Sequence, residues 1–66
     1  ALSDAGVGAT LLKSAMQGAS LNVYINTKSM KDRKRAEELN QLADSLREEY
    51  EAKADRIFAE VSSRIR

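Results

Sequence analysis

Hydrophobic residues recur along the chain at intervals of three and four positions, which places them on one face of an α-helix. No sustained run alternates between apolar and polar residues, and proline is absent. Strands are therefore not expected. The pattern predicts an all-α fold with two helices, at about residues 4–25 and 30–65, joined by a short bend. One long bent helix through both segments is the alternative.

The first predicted helix consists mainly of small and apolar residues. Between positions 5 and 27 its only charged residue is Lys13. Apolar residues in steps of four and three form a heptad-like seam, which is typical of a surface that packs against another helix. Lys13, Gln17, Ser20 and Tyr24 are expected on the opposite side. The seam and the small residues beside it are predicted to form a packing interface: Ala5, Gly8, Ala9, Leu12, Ala15, Met16, Gly18, Ala19 and Val23.

Small residues at four-residue spacing indicate how this first helix is stabilised. Each glycine in an exposed helix interior costs roughly 1 kcal/mol relative to alanine, so the helix would be weak in isolation. Pairs such as Ala15 and Ala19 allow a second backbone to approach closely, and the resulting van der Waals contact offsets that cost. The alternative is that these residues merely reflect an alanine-rich helix.

The second predicted helix is rich in charge and in strong helix formers. Opposite charges stand one turn apart, as in Arg33 with Glu37 and Glu49 with Lys53, and such pairs support a helix locally. Its apolar stripe supplies the second half of the predicted packing interface: Leu39, Ala43, Leu46, Tyr50, Ala54, Ile57, Val61 and Ile65.

The whole chain is too short for more than one structural unit. At 66 residues, a single core rarely supplies more than ~3–5 kcal/mol, so no independent globular core is predicted. Residues 1–66 are interpreted as a single helical unit with three segments. These are a small-residue-rich apolar helix at 4–25, a basic junction at 26–35 and a charged amphipathic helix at 36–66.

The basic junction concentrates positive charge between the two helices. Ser29 and Asp32 fit a capping box, which favours a helix start at Met30. The charges favour solvated first turns, a membrane collar or a nucleic-acid patch, in that order, because no aromatic groups interleave to stack on bases. The residues predicted to contact an anionic surface are Lys28, Lys31, Arg33, Lys34 and Arg35.

Residue types that carry out most catalysis are missing from the sequence. The chain has no histidine and no cysteine, and it contains neither a nucleophile elbow nor a glycine-rich phosphate loop. No catalytic, cofactor-binding or metal-binding residues are predicted, and the protein is expected not to be an enzyme.

The organisation of the chain favours a role in assembly. The predicted function is a structural subunit of a larger helical complex, such as a filament, tube or conduit. The alternative is a membrane-active or pore-lining element, and a helical adaptor for nucleic acid ranks third. The expected partners are copies of the same chain or a larger protein complex, with a membrane second and nucleic acid last.

Overall fold

A computed structural model describes all 66 residues and contains two α-helices, α1 at Leu2–Lys28 and α2 at Arg33–Ile65. They pack against each other as an antiparallel hairpin that measures 51 Å along its longest axis and 14 Å and 13 Å across. The predicted all-α fold with two helices is confirmed, and no separate globular core forms. The single long helix does not occur.

The turn between the helices lies slightly later than the sequence predicts. Ser29 caps the C-terminus of α1 in a near-helical conformation, with φ of −93° and ψ of 0°. Asp32 caps the N-terminus of α2, where its carboxylate accepts a hydrogen bond from the Arg35 amide at 3.0 Å. A carboxylate in that position satisfies an amide that has no partner within the helix. The expected start at Met30 is thus replaced by one at Arg33.

Arg33 also closes the turn by binding the end of α1. Its guanidinium donates hydrogen bonds to the carbonyl oxygens of Thr27 at 2.8 Å, Met30 at 3.0 Å and Lys28 at 3.3 Å. The last carbonyls of a helix lack partners within the helix itself. One side chain at the start of α2 therefore binds two carbonyls at the end of α1 and one in the turn, and ties the two helices together at the tip.

Pairs of contacting residues define the register of the hairpin. In each pair the two residue numbers add to 67 or 68, as expected for antiparallel helices joined by a short turn. The pairs are Gly6 with Val61, Lys13 with Asp55, Gln17 with Glu51, Tyr24 with Asp44, and Thr27 with Asn40.

Small side chains fill the contact between the helices. Ser20 and Thr27 are buried although they are polar, and their hydroxyls donate to the backbone carbonyls of Met16 and Tyr24. No large side chain is fully buried. The hairpin thus has a thin core with little apolar area, and its other buried residues are Gly6, Ala9, Ala36, Ala54 and Val61.

For one set of α1 residues, the side of the helix predicted from the sequence is wrong. The side chains of Lys13, Gln17 and Tyr24 bond to α2 and Ser20 is buried against it, whereas the pattern of α1 alone predicts all four on the side away from the packing seam. The reason is that α2 presents Asp55, Glu51 and Asp44 at the matching register, where they bond to polar residues of α1. Ser20 needs no partner on α2, because its hydroxyl donates to a carbonyl of α1.

Candidate functional site

Charged and polar side chains form a row along one side of the hairpin, at the junction of α1 and α2. Near its middle, Arg47 donates to Glu51 at 2.8 Å, and Gln17 donates to the same carboxylate at 3.4 Å. The Lys13 ammonium donates to Asp55 at 2.8 Å. We call this set the polar row; it comprises Lys13, Gln17, Tyr24, Asp44, Arg47, Glu51 and Asp55.

Side chains in the polar row form ion pairs and hydrogen bonds with one another, and their pKa shifts do not favour proton transfer. The hydrogen bond to Asp55 and its negative charge raise the pKa of Lys13. The Arg47 guanidinium holds the pKa of Glu51 below its ordinary value, and Gln17 adds to the effect. The Tyr24 hydroxyl and then Glu51 raise the pKa of Arg47. A general acid or base works best with a pKa near the operating pH, and these shifts move in the opposite direction.

The lowered pKa of Glu51 predicts an acid-dependent loss of hairpin stability. A carboxyl whose pKa is lower in the folded state stabilises that state above its unfolded pKa, and this contribution is lost as the pH falls through the folded value. We expect the melting temperature to fall between about pH 5 and pH 3. Glu51→Gln should reduce that fall. Circular dichroism melts of the wild type and of Glu51→Gln at several pH values measure the melting temperature.

The control for this experiment is Glu48→Gln, because Glu48 is exposed and forms no ion pair. It should leave the pH dependence of the wild type unchanged. Equal pH dependence in wild type and Glu51→Gln would show that the pairing of Glu51 with Arg47 does not stabilise the hairpin.

An apolar face runs along the other side of the hairpin. Successive helical residues are turned by about 100°, so Leu12 and Lys13 flank the α1 contact line on opposite sides. Leu46 and Ile57 likewise lie on the edge of α2 opposite Glu51. Four large apolar side chains here, Leu12, Leu42, Leu46 and Ile57, are between 40% and 57% exposed, and Leu39 is half-buried. We call this surface the lateral apolar face; it consists of Ala5, Leu12, Ala19, Leu39, Leu42, Leu46 and Ile57.

A second apolar surface covers the side of α1 that points away from α2. Val7, Leu11, Leu21 and Ile25 lie there and are between 60% and 67% exposed. No charge falls on this surface between Asp4 and Lys28, because the intervening Lys13 belongs to the polar row. We call it the outer face of α1. An uncharged face of this length is typical of a helix covered by other protein.

The predicted packing residues are distributed over several surfaces. Those in the contact between the helices, buried or half-buried, are Ala9, Met16, Val23, Ala43, Tyr50, Ala54 and Val61, with Leu39 half-buried at its edge. Those exposed on the lateral apolar face are Ala5, Leu12, Ala19, Leu46 and Ile57, and those exposed elsewhere are Gly8, Ala15, Gly18 and Ile65. The contact of these exposed residues with another protein stays a prediction.

The predicted basic residues lie together at the tip of the hairpin. Arg33 is engaged with the end of α1, and Arg35 pairs with Glu38 at 3.3 Å. Lys28, Lys31 and Lys34 are exposed and form no ion pair. Their contact with an anionic surface stays a prediction.

Sequence analysis missed most of the polar row. The spacing of Arg47 and Glu51 by four residues is a detectable signal for their pairing within α2. The contacts of Lys13 with Asp55 and of Gln17 with Glu51 join residues 42 and 34 positions apart. No pattern within one helix reveals them.

Two shallow grooves open on the polar-row side, near the open end of the hairpin. One, of about 190 Å³, is lined mainly by Gly6, Val7, Phe58 and Val61, and the other, of about 280 Å³, lies beside Lys13. Pockets that enclose a drug-sized ligand measure about 300–1,000 Å³. The hairpin alone therefore does not enclose a large organic ligand.

Comparison with known proteins relates the chain to enzymes of folate metabolism. The family model described as formiminotransferase-cyclodeaminase matches residues 1–45. A methenyltetrahydrofolate cyclohydrolase from Methylorubrum extorquens is 38% identical over 64 residues, which is 97% of this chain and 31% of the relative. The chain thus spans about a third of the length of that curated relative. No solved structure matches the chain.

These matches contradict the function expected from the sequence. The predictions of a non-enzymatic structural subunit and of a filament, tube or conduit assembly are wrong, because both matches bear enzyme names. The absence of histidine and cysteine argues against catalysis only in a chain that holds a complete active site. A chain that corresponds to 31% of its relative does not need to hold one.

The predicted partners are supported only as far as protein is concerned. Association with copies of the chain or with a larger protein complex agrees with these matches, whereas neither a membrane nor nucleic acid receives support from them. Neither α1 nor α2 is long and apolar enough to cross a membrane. The matches to enzymes also contradict the membrane-active alternative and the nucleic-acid adaptor.

The two matches together extend over nearly the whole chain, and this extent establishes its family. The family model covers about two thirds of the chain, including all of α1, the turn and the first third of α2. The alignment with the cyclohydrolase continues through nearly all of α2. The chain therefore belongs to the formiminotransferase-cyclodeaminase family.

Proposed function

We propose that residues 1–66 form the helical hairpin of a folate enzyme that hydrolyses methenyltetrahydrofolate. The observation that carries this proposal is the 38% identity to a methenyltetrahydrofolate cyclohydrolase, which extends over 97% of the chain. Similarity confined to one amphipathic helix would be weaker support, because many helices share the same apolar spacing. Here it includes both helices and the turn between them.

The chemistry of this reaction indicates how the hairpin contributes. Hydrolysis adds water to the methenyl carbon and breaks one of its bonds to nitrogen, which leaves a formyl group on the other nitrogen. A site for this reaction must hold the pteridine ring system, and the two grooves of the hairpin are too small and too open to do so alone. The hairpin is therefore proposed to support the site as part of its walls.

The surfaces of the hairpin support a defined orientation in such an enzyme. The side of α2 that points away from α1 is polar, and Glu38, Ser45, Glu48 and Arg56 are exposed along it. That surface suits contact with water. The outer face of α1 is apolar and uncharged and suits contact with other protein. We place α1 inward, against the remainder of the enzyme, and α2 outward.

A chimeric enzyme tests the proposal. The segment of the Methylorubrum extorquens cyclohydrolase that aligns with this chain would be replaced by residues 1–66, and hydrolysis of methenyltetrahydrofolate would be followed by its loss of absorbance. We expect the chimera to retain activity. Introducing Leu21→Asp on the outer face of α1 should abolish it, because a carboxylate buried against apolar protein without a partner is strongly destabilising.

The matched control is Ser45→Asp in the same chimera, which adds the same charge on the outward side of α2. It should leave the rate nearly unchanged. A chimera that folds like the parent enzyme but does not hydrolyse methenyltetrahydrofolate would overturn the proposal. Equal effects of the two aspartate substitutions would overturn the orientation.

A further inference from the structure

The groove lined mainly by Gly6, Val7, Phe58 and Val61 lies at the open end of the hairpin, and we call it the end groove. Val7 and Phe58 give it apolar walls and are 60% and 56% exposed. Gly6 is buried in its lining, and a Cβ atom there would lie 3.1 Å from Val61, so the missing side chain lets α1 and α2 approach closely. We propose that the end groove contacts one face of the pteridine ring system of the folate substrate. This inference rests on the proposed function and gives that function a binding site on the hairpin.

The size of the end groove suits part of a substrate. Its volume of about 190 Å³ lies below the lower limit of about 300 Å³ for pockets that take drug-sized ligands. A flat ring system can lie against such a surface while other protein covers its second face. Phe58 is exposed, whereas Tyr24 and Tyr50 are half-buried. An exposed aromatic side chain packs well against another flat ring, either offset and parallel or edge to face.

The absence of charge in the end groove distinguishes between the parts of a folate. None of its lining residues carries a charged side chain. The glutamate end of a folate carries carboxylates, which are bound most strongly by cationic side chains. The end groove is therefore unsuited to that end and suits one of the two uncharged parts, the pteridine or the benzoyl ring.

Hydroxyl groups in the lining favour the pteridine over the benzoyl ring. Thr10 and Ser62 both line the end groove, and each hydroxyl donates to a carbonyl of its own helix, at Gly6 over 3.1 Å and at Ala59 over 3.2 Å. A hydroxyl has one hydrogen, so these two oxygens are left as hydrogen-bond acceptors. The pteridine system presents an amino group and ring N–H groups as donors, whereas the benzoyl ring itself has none. The acceptors of the end groove therefore match the pteridine.

Kinetics of the chimeric cyclohydrolase test this assignment. Thr10→Val and Ser62→Ala each remove one acceptor and should raise the KM for methenyltetrahydrofolate about threefold to tenfold. The kcat should change little, because a hydrogen bond to a group that does not react is equally strong in the bound substrate and in the transition state. Ser63→Ala is the matched control, since Ser63 is exposed and lies outside the end groove, and its KM should equal that of the chimera. An unchanged KM in both Thr10→Val and Ser62→Ala would overturn the assignment.

Nuclear magnetic resonance of the complete chain tests the end groove without reference to activity. Formyltetrahydrofolate, the product of the reaction, contains the pteridine, whereas p-aminobenzoylglutamate contains only the remaining part of the molecule. We expect the first probe to shift the amide signals of Val7, Thr10 and Phe58 and the second to leave them unchanged. Absent shifts, or equal shifts with both probes, would overturn the assignment even if the chimera is active. If the chimera is inactive and the shifts appear with the first probe alone, the proposed function fails and binding of the pteridine by the end groove stands.

Discussion

Replacing Gly6 with leucine is expected to lower the free energy of unfolding of the hairpin by about 1–3 kcal/mol. A Cβ atom at this position would lie 3.1 Å from Cγ1 of Val61, closer than an ordinary van der Waals contact. Leucine adds three further carbon atoms beyond that Cβ, so α1 and α2 must separate at their open end. The thin core loses contacts there, and a larger side chain does not restore them.

The same substitution at Gly18 is the matched control. Nothing lies within 4 Å of a Cβ atom at Gly18, so leucine fits there without moving α2. Leucine is also the better helix former, by up to about 1 kcal/mol relative to glycine. Gly18→Leu should therefore match or exceed the stability of the wild type.

Urea unfolding followed by circular dichroism compares the two variants. The samples should be dilute enough to keep the chain monomeric, so that the measurement reports only on the hairpin. Equal stability of Gly6→Leu and Gly18→Leu would show that Gly6 does not set the distance between the helices.

Much of the fold follows from the sequence because it depends on local features. Helical spacing of apolar residues and the absence of proline predict two helices, and both are present. The turn differs by a few residues, since Ser29 and Asp32 are both acceptable capping residues. Asp32 takes the cap because the Arg33 side chain, directly after it, also binds the end of α1. That contact exists only in the folded hairpin.

The contact surface of α1 follows less well from the sequence because its apolar residues cover more than half of the helix. A broad stripe does not indicate which part faces α2. In the structure, α1 contacts α2 along the line through Ala9 and Met16. Lys13 and Ser20 belong to this contact surface, and Leu12 lies at its edge. Lys13 is included because Asp55 neutralises it, and Ser20 because its hydroxyl bonds to its own helix. The Asp55 partner depends on tertiary structure, whereas the Ser20 bond to Met16 is local to α1.

The proposed role in a folate enzyme does not follow from residue types in this chain. Its titratable side chains pair with one another in the polar row, and the shifts in the pKa of Lys13 and Glu51 are those of structural ion pairs. The relationship to folate enzymes appears only when the whole chain is compared with known proteins. If the hairpin supports an active site as proposed, it does so by packing, and its sequence has the features of a packing element.

Removing the guanidinium of Arg33 should destabilise the tip of the hairpin. Arg33→Ala leaves the carbonyl oxygens of Thr27, Lys28 and Met30 without their shared donor. Hydrogen bonds to charged groups contribute about 1.5–3 kcal/mol each, and three that share one exposed side chain are expected to contribute about that much together. We expect a corresponding loss in the free energy of unfolding, measured by urea titration of the monomeric chain.

Two variants separate this capping role from the positive charge of the junction. Lys34→Ala removes the neighbouring charge, but Lys34 is exposed and forms no ion pair, so the change should stay within about 0.5 kcal/mol. All three hydrogen bonds come from Nη1, and the lysine ammonium stands one atom closer to the backbone than that nitrogen. Arg33→Lys retains the charge but reaches the carbonyls less well, so it should fall between the wild type and Arg33→Ala. If Lys34→Ala were as destabilising as Arg33→Ala, the net charge of the junction would hold the turn. The three hydrogen bonds predict instead that the position of Arg33 determines the stability of the turn. Among these basic residues, only the Arg33 side chain reaches back across the turn to the end of α1.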